Sequence, residues 1–369
     1  MNVYKHVTPV IVILLLTVLF VGVVAIHPTI DTAAPFPLEG AAPKYRGIAY
    51  CSYAPNEYAS AGSNASLNAL KSTGANYAYV LVTQYLSCRT SNAIFPDPNK
   101  TPTDAAVTDA INAIHARGMG VMLKPQLHGE DGSSEAWQAP TNPAAWFASY
   151  ATFIDHYAQI AQNNGVEMFC VGCELHQQDT SYYANWSTVI RGVRAIYHGP
   201  LTYAADPDNY ARVPFWGLLD YAGIDAYFSL SDAQTPSVAD LVGGWSHYVD
   251  GNGRTHNWTH DIETWQATVH KPVLFTEIGY RSIDYAALSP GNYTRSGAYN
   301  ANGQANCYEA AWQVFANKTW FAGMFWLGWW ANPNRGGAGE TGYTPQHKPA
   351  QSVLTADWLP LASIPSAPA

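Results

Sequence analysis

A parallel (β/α)₈ barrel is the fold class that this 369-residue sequence predicts, and three observations predict it. Short apolar runs recur eight times after residue 44, helix-like stretches alternate with them, and acidic or aromatic residues close several of the runs. The runs occupy residues 45–50, 77–82, 119–124, 167–172, 200–204, 221–226, 272–276 and 322–327. Eight alternations over about 300 residues fit a closed parallel barrel better than an open sheet. The barrel domain is therefore placed at residues 45–360, with 361–369 as a tail.

The intervening helices carry their own start and stop signals. "TDAAVTDAINAIHARG" at 103–118 opens on a Thr/Asp cap, spaces its apolar residues by three and four, and stops at Gly118. "WFASYATFIDHYAQIAQNNG" at 146–165 repeats the pattern and stops at Gly165.

Ahead of the barrel, Val10 to Ile26 is a run of 17 uncharged, almost wholly apolar residues behind Lys5. It is longer than the usual signal-peptide core of about 7–15 residues and just reaches the shortest membrane spans. Residues 1–26 are accordingly read as an N-terminal hydrophobic helix, either a signal peptide or a membrane anchor, followed by a Pro/Ala-rich linker at 27–44. Both readings imply an extracellular protein, secreted or held at the outer face of the membrane. Six N-x-S/T sequons, at Asn64, Asn99, Asn185, Asn257, Asn292 and Asn317, are compatible with glycosylation after export.

Composition narrows the partner. Charged residues make up 12% of the chain and aromatic residues 13%, a balance that suits neutral, hydroxylated ligands whose apolar faces lie on rings. A net charge of −9 without any Lys/Arg cluster argues against nucleic acid. Twelve histidines form no HExxH or comparable pair, so neither a catalytic metal nor another cofactor is expected. "DPDNY" at 206–210 lacks the spacing of a calcium loop and reads as a turn. A monomer is expected.

Of the five cysteines, Cys51 and Cys88 are the candidate bridge, because both follow neighbouring strands. Cys170 and Cys173 lie along one strand, where three residues span about 10 Å, too far for a redox C-x-x-C pair.

In such barrels the functional groups stand at the C-terminal ends of the strands, which turns a strand list into a site list. Here those ends are Cys51 to Tyr53, Thr83 to Tyr85 with Gln84 between them, Pro125 to His128, Cys173 to His176, Ala205 to Asn209, Tyr227 with Phe228, Glu277 with Tyr280, and Trp329 with Trp330. Two of them repeat one oddity. "EMFCVGCEL" and "KPVLFTEIGY" are apolar strands that close on Glu174 and Glu277, 103 residues and three βα units apart. Strands four and seven face each other across the barrel mouth, so both carboxylates can enter one cleft. Two carboxyls about 5–5.5 Å apart are what retaining glycoside hydrolysis requires.

The motifs "STGANYAYVLVTQY", "GMGVMLKPQLH", "VGCEL", "GPLTYAAD", "LDYAGIDAYF", "KPVLFTEIGYRS", "GMFWLGWW" and "KPAQSVL" together resemble glycoside hydrolase family 113 of clan A, from about Tyr45 to about Trp358. Characterised members of that family are retaining endo-β-1,4-mannanases on a (β/α)₈ barrel. The resemblance implies Glu174 as acid/base, Glu277 as nucleophile, and Tyr227 as the tyrosine that hydrogen-bonds the nucleophile. Clan A enzymes commonly place Asn before the acid/base to hold the sugar 2-hydroxyl, and here that residue is Cys173. Trp326 or Trp329 would form the platform beneath the sugar at the cleavage point. Lys124 and His128 are expected to reach hydroxyls of the bound chain, as is Gln84, and Asp225 in "GIDAY" to orient a neighbour. The expected activity is cleavage of β-1,4-mannan or glucomannan. A β-glucanase, a β-mannosidase, or a carbohydrate-binding barrel without catalysis are the alternatives.

Overall fold

The computed structural model describes residues 44–133 and 138–359. The apolar segment 10–26, the linker up to residue 43 and the tail 361–369 lie outside the described residues. Among the described residues no helix is long and apolar enough to cross a membrane.

All eight apolar runs become strands, and all pair in parallel. They are β1 (Tyr45–Cys51), β2 (Tyr77–Leu86), β3 (Gly120–Gly129), β4 (Met168–Cys173), β5 (Leu201–Ala205), β6 (Ala222–Asp225), β9 (Val273–Ile278) and β10 (Phe321–Trp330). Around the closed barrel the order is β1-β10-β9-β6-β5-β4-β3-β2. The remaining pair, β7 (Tyr248–Val249) and β8 (Thr255–His256), is a small antiparallel hairpin outside the barrel.

The helices are α1 (Ala61–Ser72), α2 (Asp104–His115), α3 (Pro143–Asn163), α4 (His176–Ser181), α5 (Tyr183–Ile196), α6 (Val238–Ser246), α7 (Trp258–Val269), α8 (Ala301–Phe315) and α9 (Pro349–Trp358). Thr103 caps α2 by accepting from the Ala106 N–H, and past its end Gly118 takes the left-handed conformation that closes the turn. Asn142 caps α3 in the same way, so the helix starts at Pro143, three residues upstream of the expected Trp146. Between β5 and β6 the crossover holds only the 3₁₀ turns Tyr210–Arg212 and Trp216–Leu218, whose aromatic residues pack where a helix would lie.

β2, β3 and β10 run three to five residues past the apolar stretches that announce them. The cause is pairing. β2 and β3 stay in register from Tyr77↔Gly120 to Leu86↔Gly129, so polar residues ride on a ladder whose backbone bonds are already satisfied. Side chains then alternate between the barrel interior and the helix layer. Tyr45, Tyr79, Leu81, Met122, Met168, Cys170, Leu274 and Phe325 fill the interior, while the larger cluster lies between strands and helices. Gly223 is needed on β6 because a Cβ there would stand 2.1 Å from the Tyr203 carbonyl oxygen.

That alternation corrects three expectations. Gln84 falls on the outer face with Val80 and Val82, and its Nε2 donates to Tyr157 Oη of α3 at 3.4 Å, so it is not a hydroxyl-binding residue. Trp326 and Trp329 also point outward. Two β1 steps, Ile48 to Tyr50, pair with three on β10, Trp326 to Trp329, and the additional residue puts both indoles on the helix side. Trp326 stacks on Tyr308 of α8 with centroids 3.6 Å apart, and Trp329 Nε1 donates to Ser66 Oγ of α1 at 2.9 Å. Neither is a sugar platform.

The Cys51–Cys88 bridge is absent too, since both thiols are free. Cys51 lies one step past the Tyr50↔Val80 pair, level with Leu81, whereas Cys88 lies beyond the end of β2 at Leu86. Five strand residues alone separate those levels by about 16 Å, well past disulfide reach.

Because Trp326 is a packed core residue, Trp326→Ala is expected to destabilise the fold by about 3–5 kcal/mol. Urea unfolding followed by fluorescence measures it; an unchanged midpoint would contradict the packing role.

Candidate active site

Five interior side chains from five strands meet near the C-terminal end of the barrel: Tyr79 on β2, Lys124 on β3, Cys173 on β4, Asp225 on β6 and Glu277 on β9. Glu277 is last but one in the wholly buried strand β9, and β6 brings Asp225 into register beside it. Lys124 reaches across the interior. Its Nζ lies 2.6 Å from Glu277 Oε1 and 3.3 Å from Asp225 Oδ2. Tyr79 Oη donates to the same Oε1 at 2.7 Å, and Tyr227 Oη donates to Oε2 at 2.7 Å.

Lys124 and Asp225 are fully buried, and Glu277 keeps 7% of its surface exposed. Buried charges persist only when paired and hydrogen-bonded. Burial opposes the charge on Lys124, but the surrounding acids, Asp225 foremost, hold it protonated well above the ordinary lysine range. One ammonium then serves two carboxyls, and they divide it unequally. Burial pushes Asp225 up to about 6, offset only in part by Lys124 and by the Thr276 hydroxyl, which donates to Oδ1 at 2.7 Å. Burial also works against Glu277, yet Lys124, Tyr227 and Tyr79 together hold it below the ordinary glutamate value. Glu277 is therefore the more firmly ionised member of the pair.

Lys124 does not reach into open cleft as expected from its strand-end position; its full length is spent inside the barrel on Glu277. Cys173 likewise lies beneath the cleft, 3% exposed, with Sγ donating to Asp225 Oδ2 at 3.5 Å. Cys173, Asp225 and Glu277 place one ligand atom each within 4.8 Å, the arrangement of a metal site. The Lys124 ammonium stands against both carboxylates of that trio and supplies the cation itself.

Glu174 follows β4 directly and is partly exposed. Its backbone is in the left-handed region, φ 49°, which costs a non-glycine residue of order 1 kcal/mol or more and persists only where neighbours enforce it. The neighbours are visible. The Glu174 N–H donates to the Ala204 carbonyl at 2.8 Å, and the Leu175 N–H donates to Tyr203 Oη at 2.9 Å. Tyr203 Oη in turn donates to Asp179 Oδ2 at 3.0 Å, and Asn209 Nδ2 donates to Asp179 Oδ1 and to the His176 carbonyl. Burial pushes Asp179 up to about 7, against the pull of these donors.

Across the mouth, Tyr343 lies with its ring 6.1 Å from that of Tyr227 and its hydroxyl donating to the Pro290 carbonyl at 2.6 Å. Burial, and after it the charges of Glu277 and Glu174 against that of Arg281, push its hydroxyl well above the ordinary tyrosine value. One side chain thus senses both glutamates.

The aromatic surface at the mouth is Tyr53 and Trp330. Tyr53, 37% exposed, stacks on His128 at 5.9 Å and meets Trp330 at 6.1 Å, while the Arg335 guanidinium covers the Trp330 ring at 4.5 Å. His128 is partly exposed, with Nε2 3.1 Å from Gln126 Nε2. Trp330 was legible as a strand-end residue; Tyr79 and Tyr343 were not singled out. Counting alternation back from a strand end would have found Tyr79, whereas Tyr343 sits on a loop with no periodicity to mark it.

The sequence profile of Glycoside Hydrolase Family 113 matches residues 50–348. The chain belongs to that family. It is a glycoside hydrolase. A GH113 β-mannanase, AaManA from Alicyclobacillus acidocaldarius, superposes on the hydrolase with a TM-score of 0.76 at 24% identity, covering 88% of this chain and 99% of that one. A structure of a GH113 β-1,4-mannanase gives 0.74 at 24% identity, covering 86% and 99%. A Faecalibacterium prausnitzii β-glucuronidase shares the barrel more distantly, at 0.55 and 13% identity, covering 87% of this chain and 51% of that one. At these identities the likenesses show a common fold. Among curated protein sequences none matches.

Tyr203→Phe removes the hydroxyl that joins Leu175 to Asp179 and strands both partners. A loss of about 1–3 kcal/mol in urea unfolding is expected, together with lowered turnover; full stability would show that the left-handed turn at Glu174 is held by other contacts.

Proposed function

We propose that the hydrolase is a retaining endo-β-1,4-mannanase in which Glu277 is the nucleophile and Glu174 the acid/base. The observation that carries this reading is the set of three donors at 2.6–2.7 Å on the buried Glu277 carboxyl, an arrangement that favours its ionised form. An ionised Glu277 oxygen attacks the anomeric carbon while Glu174 gives its proton to the departing glycosidic oxygen. The C–O bond to the leaving sugar breaks and a glycosyl ester forms on Glu277. Water then attacks the same carbon, Glu174 takes its proton, and the ester bond breaks to return Glu277 as carboxylate. Two inversions leave the β configuration intact.

Mannan is favoured as substrate by family membership and by the neighbours at TM-scores of 0.74–0.76, which are β-mannanases. Tyr53 and Trp330 offer the apolar faces for sugar rings that Trp326 and Trp329 do not. Contact with the 2-hydroxyl, the group that separates mannose from glucose, does not come from Cys173, whose thiol is committed to Asp225. We propose further that the enzyme works outside the cell, on the strength of the apolar run at 10–26.

On mannan, Glu277→Ala is expected to lower kcat by more than about 10⁴-fold with the fold intact. Glu174→Gln should lose much less on an aryl mannoside, whose leaving group needs no proton, than on mannan. NMR of the first product should show the β anomer. Reducing-sugar release by Glu277→Ala near the wild-type rate, or an α product, would reject the mechanism.

Tyr227→Phe takes one donor from Glu277, so the pKa of Glu277 rises. Because Glu277 acts as carboxylate, the acid limb of the kcat/KM profile moves to higher pH, and kcat falls about tenfold or more, the worth of a hydrogen bond to a charged group. An acid limb that stays in place would separate Tyr227 from the nucleophile.

A further inference from the structure

The three donors to Glu277 are not held alike. Tyr79 and Lys124 are fully buried inside the barrel, where strand packing fixes them. Tyr227 follows the end of β6 and is partly exposed, so its aim depends on what surrounds it. Its surroundings come from two loops, residues 279–300 after β9 and 331–348 after β10. Gly291 of the first loop packs so closely that an added Cβ would stand 3.2 Å from the Tyr227 Cβ. Tyr343 of the second meets the Tyr227 ring edge-on, with centroids 6.1 Å apart. The Tyr343 hydroxyl donates at 2.6 Å to the carbonyl of Pro290, the residue before Gly291, which ties the two walls to each other. The same ring lies over Gly279, where an added Cβ would meet its Cδ1 at 3.1 Å.

Behind Tyr343 lies a buried charge outside the catalytic cluster. Lys348, at the start of α9, is 4% exposed. Its Nζ donates to Glu340 Oε2 at 2.5 Å, to Ser282 Oγ at 2.8 Å and to the Gly342 carbonyl at 3.3 Å. Ser282 joins the same knot, its N–H donating to the Gly342 carbonyl at 3.1 Å and its Oγ to the Glu340 carbonyl at 2.7 Å. The Gly342 N–H returns to Glu340 Oε1 at 2.9 Å. Gly342 precedes Tyr343, so the knot fixes that residue from one side. From the other, Gln304 of α8 donates to the Tyr343 carbonyl at 2.8 Å. A buried ammonium is costly unless paired, and here all three of its protons are spent on joining the two loops.

We propose that Tyr343 and the Lys348–Glu340 pair behind it are positioning residues that hold Tyr227 in the orientation in which its hydroxyl meets Glu277. Tyr227 touches the reacting carboxylate; Tyr343 and Lys348 act through Tyr227. Weakening the frame loosens one donor on Glu277 and leaves Lys124, Asp225, Cys173 and Tyr79 around it unchanged.

The test is a double-mutant cycle on an aryl β-mannobioside, whose leaving group needs no proton, so that its rate reports the nucleophile. Lys348→Met removes the charge but keeps the length of the side chain, and Glu340, 25% exposed, can turn to water. Tyr343→Phe keeps the ring and removes the bond to Pro290. Each variant is expected to lower kcat/KM about three- to tenfold, the worth of about one net hydrogen bond. Each also moves the acid limb to higher pH by about half a unit, because Glu277 loses part of a donor to its ionised form. In a Tyr227→Phe background the same changes cost nothing more. Losses that recur in full in that background, or an acid limb that stays in place, overturn the proposal and leave these residues a role in loop stability alone. The kinetic readout rests on Glu277 as nucleophile. Titration of Glu277 by ¹³C NMR of labelled glutamate, with Glu277→Gln to assign the signal, does not. A midpoint raised by Lys348→Met, and not raised further when Tyr227→Phe is already present, supports the positioning role; an unmoved midpoint rejects it. A wild type inactive on the mannoside that still shows the raised midpoint would remove the mannanase reading and leave the positioning role standing.

Discussion

The contact between Lys124 and Glu277, 2.6 Å long and nearly without solvent, is the constraint around which the site is arranged. Neither partner could stay charged at that depth alone. Once both are present, the barrel must close so that β3 and β9 bring their side chains to one level, and Asp225 must lie close enough to share the ammonium without taking it from Glu277. The tyrosines complete the division. Tyr79 and Tyr227 give one oxygen each of Glu277 a donor, whereas Asp225 receives a hydroxyl from Thr276 and a longer contact from Lys124. The same ammonium stands against both carboxyls of the trio that Asp225 and Glu277 form with the Cys173 thiol.

The second glutamate is governed by backbone instead of charge. Glu174 holds a left-handed conformation between β4 and α4, and the bonds that keep it there run through β5 to Tyr203 and on to Asp179 and Asn209. An interior ion pair fixes the charge of one carboxylate, and a ring of loop hydrogen bonds fixes the direction of the other. The charges of both are felt by Tyr343 at the mouth and by Cys173 beneath it. That separation suits a pair of groups whose protonation states must differ.

Much of this was legible in the sequence because strands, helices and caps are local. Eight apolar runs gave eight parallel strands, Thr103 and Gly118 bounded α2, and a glutamate ending an apolar run twice over marked both carboxylates. The misreadings share one cause. Gln84, Trp326 and Trp329 sit at strand ends as expected but face the helices, since a side chain's face depends on how far the ladder continues and where it slips. β2 continues to Leu86, and β10 carries one more residue than β1 between the Trp326 and Trp329 pairs. Neither fact is written in hydrophobicity. Cys51 and Cys88 failed to pair for a related reason, as neighbouring strands of unequal length place their ends at different heights.

By itself the sequence determined the alternation of elements, their approximate bounds and the two acidic strand ends, because periodicity and capping act over a few residues. Only the tertiary structure decided that Glu277 is held as a carboxylate, since that depends on Tyr79, Lys124 and Tyr227 arriving from three other parts of the chain. Charge at depth is a through-space property, set by distances of a few ångströms between residues that no local pattern relates.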